Sequence, residues 1–189
     1  MSEPVHLSCG CGRTAWQIAP DAQGGRVVCY CADCQTFARH LSAPVPVLDG
    51  DGGSHIFQTL PSHVRILEGA ENLAVLRLGP KGIFRWYAAC CNTPVANTLP
   101  KSTIPFVGMI LRPGTTDFGK VVARAFTDAA RRPIKQKGMA RAGLGVISRA
   151  IAGRLAGAHR AGPFFSDSGA PVAEPRTLTR QERAAARPR

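Results

Sequence analysis

The stretch GIFRWYAACCNTPV, residues 82–95, ends a strand pattern on two adjacent cysteines, Cys90 and Cys91. The segment GIFRWYAAC is rich in aromatic and aliphatic side chains, which is typical of a β-strand. The segment LAVLRLG, residues 73–79, has the same character, and a Gly-Pro-Lys-Gly turn joins the two. This part of the sequence therefore predicts two strands, the second of which leads directly into the cysteine pair.

The rest of the first hundred residues also favours short strands. RVVCYC, residues 26–31, is β-branched and aromatic, and HVRILEG, residues 63–69, alternates as an edge strand does. ADCQTFARH, residues 32–40, begins a helical turn. We therefore predict a mainly β domain of small folded sheets over residues 1–112, and an α+β class for the whole chain.

The second half of the chain has helical spacing instead. In DFGKVVARAFTDAARR, residues 117–132, apolar side chains recur at the period of a helix. In LGVISRAIAGRLAGAHR, residues 144–160, the larger apolar side chains fall on one face. These are Leu144, Ile147, Ile151 and Leu155. TRQE, residues 179–182, has the spacing of a capping box. We therefore predict that residues 113–189 form a basic helical extension.

All of the net charge of +12 lies in the second half of the chain. Residues 101–189 carry 17 basic and five acidic side chains, whereas residues 1–100 carry seven of each. Basic amphipathic helices attract nucleic acid, anionic membrane surfaces or acidic partners. The alternative interpretation is an arginine-rich helical cover over the β domain.

The cysteines indicate a metal-binding protein of the cytoplasm. No stretch approaches the ~20 apolar residues that a membrane-spanning helix needs. The N-terminal sequence MSEPVHLSCG lacks the pattern of a secretory signal, so we expect a cytoplasmic protein whose thiols stay reduced. Seven cysteines at tight spacings in such a compartment favour metal ligation over disulfides.

The spacing of the cysteines divides them into two zinc sites. The clusters are Cys9-x-Cys11, Cys29-x-Cys31-x-x-Cys34 and Cys90-Cys91. Two short pairs from distant segments complete a closed, structural zinc site, whereas three thiolates without a fourth leave a position open for water or substrate. We therefore predict two Zn²⁺ ions per chain, the second of them labile or catalytic and held by the middle triplet. The alternative is that some of these cysteines are simply buried apolar residues.

The order of these motifs resembles the glutathione-dependent formaldehyde-activating enzyme family, which includes centromere protein V. The match is carried by CGCG at 9–12, CYCADC at 29–34 and CNTPV at 91–95, and it covers roughly residues 5–112. The resemblance implies a β-rich fold with a structural zinc on the outer cysteine pairs and a labile or catalytic zinc on the middle triplet. It also implies a carbon–sulfur lyase that joins glutathione to formaldehyde.

The distal motif departs from that family's C-x-x-C-G-[ST]-P. Ala88 stands where the first cysteine belongs, Cys90 lies two residues later, and Asn92 replaces the glycine. Asparagine tolerates positive φ better than other non-glycine residues, so we expect the turn to survive. Either Cys90 takes over as a ligand beside Cys91, or its sulfur points into the core. The chain is therefore expected to be a divergent branch, with a substrate that need not be glutathione.

Four further sites are candidates for weaker roles. His55, after a flexible turn, is a candidate proton shuttle and substrate contact, and Gln35, beside Cys34, is a candidate hydrogen-bond donor to substrate. A solvent-facing loop is the alternative for His55. His40 is a candidate fourth ligand or a helix-terminal surface residue, and Trp86 is expected in the core.

Two functions follow from these observations. The first is a zinc enzyme, a carbon–sulfur lyase acting on glutathione or on other thiol adducts of small aldehydes. The second is a non-catalytic zinc module whose basic second half binds nucleic acid, a membrane or an acidic partner.

Overall fold

The structure, a computed structural model, describes residues 3–158 and 161–188. In these residues it is mainly β, with eleven strands in two sheets and three α-helices, which confirms the predicted α+β class dominated by sheet. Among the same residues, none of the helices combines the length and the apolar character that crossing a bilayer requires.

The smaller sheet has three antiparallel strands in the order β1-β2-β5. They are Val5–Ser8, Ala15–Ile18 and Val64–Glu68. The segment predicted as an edge strand, HVRILEG, supplies β5, which lies at an edge of this sheet.

The larger sheet has eight strands in the order β10-β3-β4-β9-β8-β7-β6-β11. In chain order they are β3 Gly25–Cys29, β4 Ser54–Thr59, β6 Leu73–Arg77, β7 Phe84–Ala88, β8 Thr93–Thr98, β9 Val107–Leu111, β10 Val121–Ala125 and β11 Arg176–Thr177. The central strands β8 and β9 are buried along their whole length, so this sheet carries the core on both faces. The two outermost pairs, β10 with β3 and β11 with β6, are parallel, and the other neighbours are antiparallel.

The three helices are α1 Ala32–Leu41, α2 Met139–Leu155 and α3 Arg180–Ala186. α1 follows β3 directly and buries Phe37 and Leu41 against the larger sheet. α3 packs on α1, where Arg183 forms an ion pair with Asp33 at 3.0 Å. The predicted capping box is confirmed, because Thr179 accepts from the Glu182 amide while the Glu182 carboxylate accepts from the Thr179 amide.

The prediction of a helix over residues 117–132 is wrong. Residues Val121–Ala125 form the strand β10, followed by a 3₁₀ turn at Thr127–Ala129. The sequence VVARA is compatible with the period of a helix and with that of a strand. In the structure it alternates as a strand does, because Ala123 and Ala125 are buried while Arg124 between them is exposed. The free edge of β3 supplies backbone partners to this segment, and that pairing decides in favour of the strand.

The chain after residue 112 packs closely on the part before it. Phe164 is fully buried against Trp86, with 5.2 Å between the ring centroids, and Leu178 joins the cluster of Phe37 and Leu41. Since β10 and β11 also pair with β3 and β6, residues from both sides of the predicted boundary form the same sheet. The boundary at 112 itself stays a prediction.

Candidate metal centres

Four cysteines from two distant segments of the chain converge on one point. The sulfurs of Cys9, Cys11, Cys90 and Cys91 all lie within 4.8 Å of one another. The Cys9 and Cys11 sulfurs are 3.6 Å apart, and the Cys90 sulfur lies 3.6 Å from Cys9 and 3.5 Å from Cys11. The Cys91 sulfur, in addition, lies 3.1 Å from the hydroxyl of Thr93. Both members of the adjacent pair therefore reach the group.

Two turns bring these sulfurs together. Cys9 and Cys11 lie in the turn between β1 and β2, which is closed by a 2.9 Å hydrogen bond from the Cys9 amide to the Thr14 carbonyl. Cys90 and Cys91 lie in the turn between β7 and β8, where the Cys91 amide donates to the Ala88 carbonyl at 3.3 Å. Asn92 takes φ +56° in this turn, a conformation that glycine adopts most readily.

Arg13 beside this group favours the thiolate form of Cys11, whereas burial raises the pKa of Cys90 to about 11. A hydrogen bond from Arg13 lowers the pKa of Cys11 to about 6. The Arg13 guanidinium also donates to the Cys90 carbonyl at 2.9 Å, which holds the cation beside the sulfurs. Because the thiolate is the form that ligates a metal, Cys11 is the sulfur of this group that can ligate a cation at neutral pH most readily.

Three cysteines form a second group at the junction of β3 and α1. Cys29 ends β3, Cys31 caps the N-terminus of α1 and Cys34 lies in its first turn. Their sulfurs lie within 4.8 Å of one another, with 3.6 Å between Cys34 and Cys29. Cys29 and Cys34 are buried and Cys31 is half-buried, so the group meets solvent at Cys31.

Cys31 is the sulfur of this group that ionises first. Hydrogen bonds from the Cys29 and Cys34 thiols lower the pKa of Cys31, and the Cys34 amide adds a backbone hydrogen bond at 3.3 Å. The same sharing, together with burial, raises the pKa of Cys29. The start of α1 contributes its positive dipole end at this point. Cys31 is therefore the most acidic thiol of the triplet.

A buried arginine that we did not predict lies beside the triplet. Arg85 on β7 is 4% exposed, and its guanidinium Nη1 lies 4.0 Å from the Cys34 sulfur and 3.4 Å from Asn97 Oδ1. The guanidinium also lies over the Phe37 ring, 5.4 Å from its centroid. The signal in the sequence was an arginine within the apolar run IFRWY, where a charge needs a partner to be buried.

The sulfur positions fit a tetrahedral metal. Zinc bound to thiolates at about 2.3 Å in tetrahedral geometry requires sulfurs about 3.8 Å apart. The distances of 3.5–3.6 Å in both groups are close to that value. The first group offers four sulfurs and the second three, and among the described residues no His, Asp or Glu joins either group. Both groups could therefore hold a metal ion, the second with one coordination position left open.

The weaker candidates lie in other surroundings. His55 donates from Nε2 to the Asp49 carboxylate at 3.2 Å and accepts at Nδ1 from Arg26 at 3.1 Å. Its neighbour Ile56 is the β4 residue that packs on the triplet. Since neighbouring strand residues face opposite sides, the His55 ring lies on the other face of the sheet. Its roles as proton shuttle and substrate contact stay predictions without a contact to the cysteines.

The Gln35 side chain is bonded to backbone carbonyls, and His40 lies at the far end of α1. The Gln35 amide nitrogen, 1% exposed as a residue, donates to the carbonyls of Tyr30 and Ala129 at 3.0 and 2.7 Å, so it ties α1 to the loop after β10. His40 lies in the last turn of α1, about 9 Å along the helix axis from Cys34. Trp86, expected in the core, is fully buried and donates to Thr98 at 2.9 Å.

Comparison with known proteins identifies a family and a distant structural neighbour. Among solved structures, the chain is similar to a crystal structure of a Rhodobacter sphaeroides protein from a structural genomics programme, at 20% identity and a TM-score of 0.39. That match covers 64% of this chain and 99% of the other. No curated protein matches the chain. The family model DUF6151, described as a family of unknown function, matches residues 1–176. Because this match spans most of the 189 residues, the chain belongs to the DUF6151 family.

Proposed function

We propose that this protein binds two zinc ions and that the open site of Cys29, Cys31 and Cys34 takes a small thiol or its aldehyde adduct. The convergence of three sulfurs, with no fourth His, Cys, Asp or Glu ligand among residues 3–158 and 161–188, carries the proposal. The four-sulfur group, closed by its own ligands, is assigned a structural role. Zinc in the open site would lower the pKa of a bound thiol or polarise a carbonyl oxygen.

Arg85 supports a thiol as the species that enters the open position. Three thiolates and Zn²⁺ together carry one negative charge, which on its own disfavours a further anion. The Arg85 guanidinium, buried 4.0 Å from the Cys34 sulfur, offsets that charge. A buried cation at this distance interacts far more strongly than one in water, so with Arg85 the zinc-bound triplet carries no net charge when an anionic sulfur approaches it.

The reaction that suits such a site is carbon–sulfur bond formation or cleavage, as in the enzymes that its motifs resemble. The sulfur of glutathione, or of another small thiol, bonds to the carbonyl carbon of formaldehyde or a small aldehyde, and the thiol proton ends on the carbonyl oxygen. Half-buried Cys31 is the sulfur nearest to solvent and lies where the thiol would enter.

The test measures adduct formation and metal content in the same preparations. Zinc-loaded protein is mixed with glutathione and ¹³C-formaldehyde, and the rate of S-hydroxymethylglutathione formation is followed by NMR. We expect the protein to accelerate the reaction and Cys31→Ser to abolish the acceleration. The matched control is Cys11→Ser, which alters the closed group and leaves the triplet intact.

The two parts of the proposal fail separately. If the wild type binds two zinc ions per chain but does not accelerate adduct formation, the lyase activity is excluded and the two metal sites are retained. Equal rates for wild type and Cys31→Ser would move the reaction away from the triplet. A content below two zinc ions per chain would show that one of the two proposed sites does not bind zinc.

A further inference from the structure

The largest apolar side chains of α2 point away from the protein. Leu144, Ile147, Ile151 and Leu155 are 68%, 57%, 58% and 84% exposed. Ile104, 52% exposed, lies beside Ile151 and Leu155 along a shallow groove of about 310 Å³. Such a contiguous stripe differs from the scattered exposed apolar residues of an ordinary surface, and it marks an interaction site.

The opposite face of α2 is already packed. Met139 and Ala142 contact the buried cluster of Val27 and Ala123. Gly153 lies so close to Leu60 that a Cβ atom there would come within 2.9 Å of it. At 100° per residue, Gly153 lies about 200° round the helix from Ile151. The helix therefore rests on the protein with its small residues and presents its leucine and isoleucine side chains outward.

Positive charge borders the exposed stripe. Arg141 and Arg154 are exposed and fall about 70° to either side of it on the helix. Among residues 3–158 and 161–188, no carboxylate forms an ion pair with either of them. Over the longer stretch 129–166 the sequence has eight basic residues and no acidic one. The partner of this surface is therefore expected to be anionic as well as apolar.

The geometry distinguishes between the anionic partners. A protein that wraps round a basic helix needs access to most of its circumference, which the packed Gly153 face denies. A second copy of this chain would oppose two surfaces of the same charge. A nucleic acid would use the arginines and leave the four aliphatic side chains in water. A flat lipid surface takes both, with apolar side chains entering the acyl boundary and arginines at the headgroups.

We infer that α2 is an interfacial helix that docks the protein on an anionic membrane surface through Leu144, Ile147, Ile151 and Leu155, with Arg141 and Arg154 at the lipid headgroups. The site is separate from both cysteine groups and does not depend on the proposed lyase activity.

The experiment is co-sedimentation of the full chain with vesicles of phosphatidylcholine alone or mixed equally with phosphatidylglycerol. We expect binding to the mixed vesicles that weakens with salt, and little to phosphatidylcholine. The double variant Ile147→Gln/Ile151→Gln is expected to lose at least about tenfold in affinity. The control, Leu67→Gln/Val172→Gln, changes two apolar residues exposed elsewhere, at 43% and 50%, and keeps wild-type binding.

Because the substituted isoleucines are exposed, circular dichroism should show the variant folded, so that lost binding is not lost structure. A wild type that binds no vesicles overturns the inference, as does binding that the Ile147→Gln/Ile151→Gln variant retains. So does binding to duplex DNA in place of vesicles, or a dimer of the wild type that the same variant abolishes.

Discussion

Asn92 is the residue that lets two adjacent cysteines serve one group. Neighbouring side chains normally leave the backbone in different directions, so the turn must reverse between β7 and β8 within a few residues. Asn92 does this at φ +56°, and its own side chain is exposed. The backbone conformation at this position, rather than any side-chain contact, therefore keeps the Cys90 and Cys91 sulfurs within reach of Cys9 and Cys11.

We predict that Asn92→Val destabilises the protein by about 1–3 kcal/mol, because a β-branched residue is strained at positive φ. Asn92→Gly at the same position should change stability by less than about 0.5 kcal/mol. Urea unfolding of the zinc-loaded proteins measures both. Equal losses for valine and glycine would show that the asparagine side chain, and not the backbone, matters here.

The adjacent cysteines Cys90 and Cys91 support a second prediction at the scale of single residues. Cys90→Ser and Cys91→Ser should each reduce bound zinc from two ions to one per chain and lower the unfolding temperature, because each sulfur belongs to the four-sulfur group. Zinc is measured by mass spectrometry after gel filtration. The Thr93 hydroxyl lies 3.1 Å from the Cys91 sulfur, so full zinc retention in Cys91→Ser would assign that sulfur to the hydrogen bond alone.

At the scale of elements, the last helix shows how a short segment is fixed. α3 is seven residues long, too short to be stable in isolation. A capping box between Thr179 and Glu182 begins it, the buried side chain of Leu178 anchors it, and an ion pair from Arg183 ties it to α1. Local capping and tertiary contacts thus act together on one segment.

The capping box gives a pH-dependent prediction. Hydrogen bonds from the Thr179 amide and hydroxyl lower the pKa of Glu182. Because its folded pKa lies below the unfolded value, Glu182 stabilises the protein at neutral pH, and this contribution is lost as the pH falls through the lowered pKa. Glu182→Gln should therefore destabilise the protein at pH 7 and have little effect well below pH 4.

The control for this prediction is Thr179→Ala, which removes the hydroxyl acceptor and should cost about 1 kcal/mol. The hydroxyl accepts from the Glu182 amide at every pH in this range, whereas its donor bond to the Glu182 carboxylate loses strength in acid, so Thr179→Ala should keep part of its cost at low pH. Urea midpoints of the three proteins at both pH values provide the comparison. If Glu182→Gln lowers the urea midpoint by the same amount at both pH values, the stabilising role assigned to the ionised Glu182 carboxylate is contradicted.

At the scale of the whole molecule, the second half of the chain completes the core of the first. Phe164 is fully buried against Trp86, Phe118 lies 4.8 Å from Phe57 by ring centroids, and β10 extends the larger sheet. With this much shared interior, the two halves are expected to unfold together.

We predict coincident unfolding transitions from two probes. Tryptophan fluorescence reports Trp16 and Trp86 in the first half. Circular dichroism at 222 nm reports the helices, and α2 and α3 in the second half supply 24 of their 34 residues. Phe164→Ala should lower the free energy of unfolding by about 3–5 kcal/mol as measured by either probe. Leu155→Ala, at a residue 84% exposed, should shift neither appreciably. Separate transitions would make the second half an independent unit.

Local pattern was sufficient for some of these features. The aromatic and β-branched runs predicted the strands β6 and β7, the spacing of TRQE predicted the α3 cap, and the cysteine spacing predicted the same two groups that the structure brings together. In each case the decisive residues are close in the chain, or belong to a residue type whose chemistry specifies its partners.

The tertiary structure alone decided the rest. Residues 121–125 fit either period, and only the free edge of β3 made them a strand. Arg85 became a counter-charge because β7 lies under α1, and the apolar stripe of α2 became a surface because Gly153 fits against Leu60. The sequence by itself determined the strands β6 and β7, the cap of α3 and which cysteines belong together, since those depend on near neighbours and ligand chemistry. Hydrogen-bond partners for an ambiguous segment, and the direction a helix face takes, depend on residues far along the chain, so only the assembled fold could decide them.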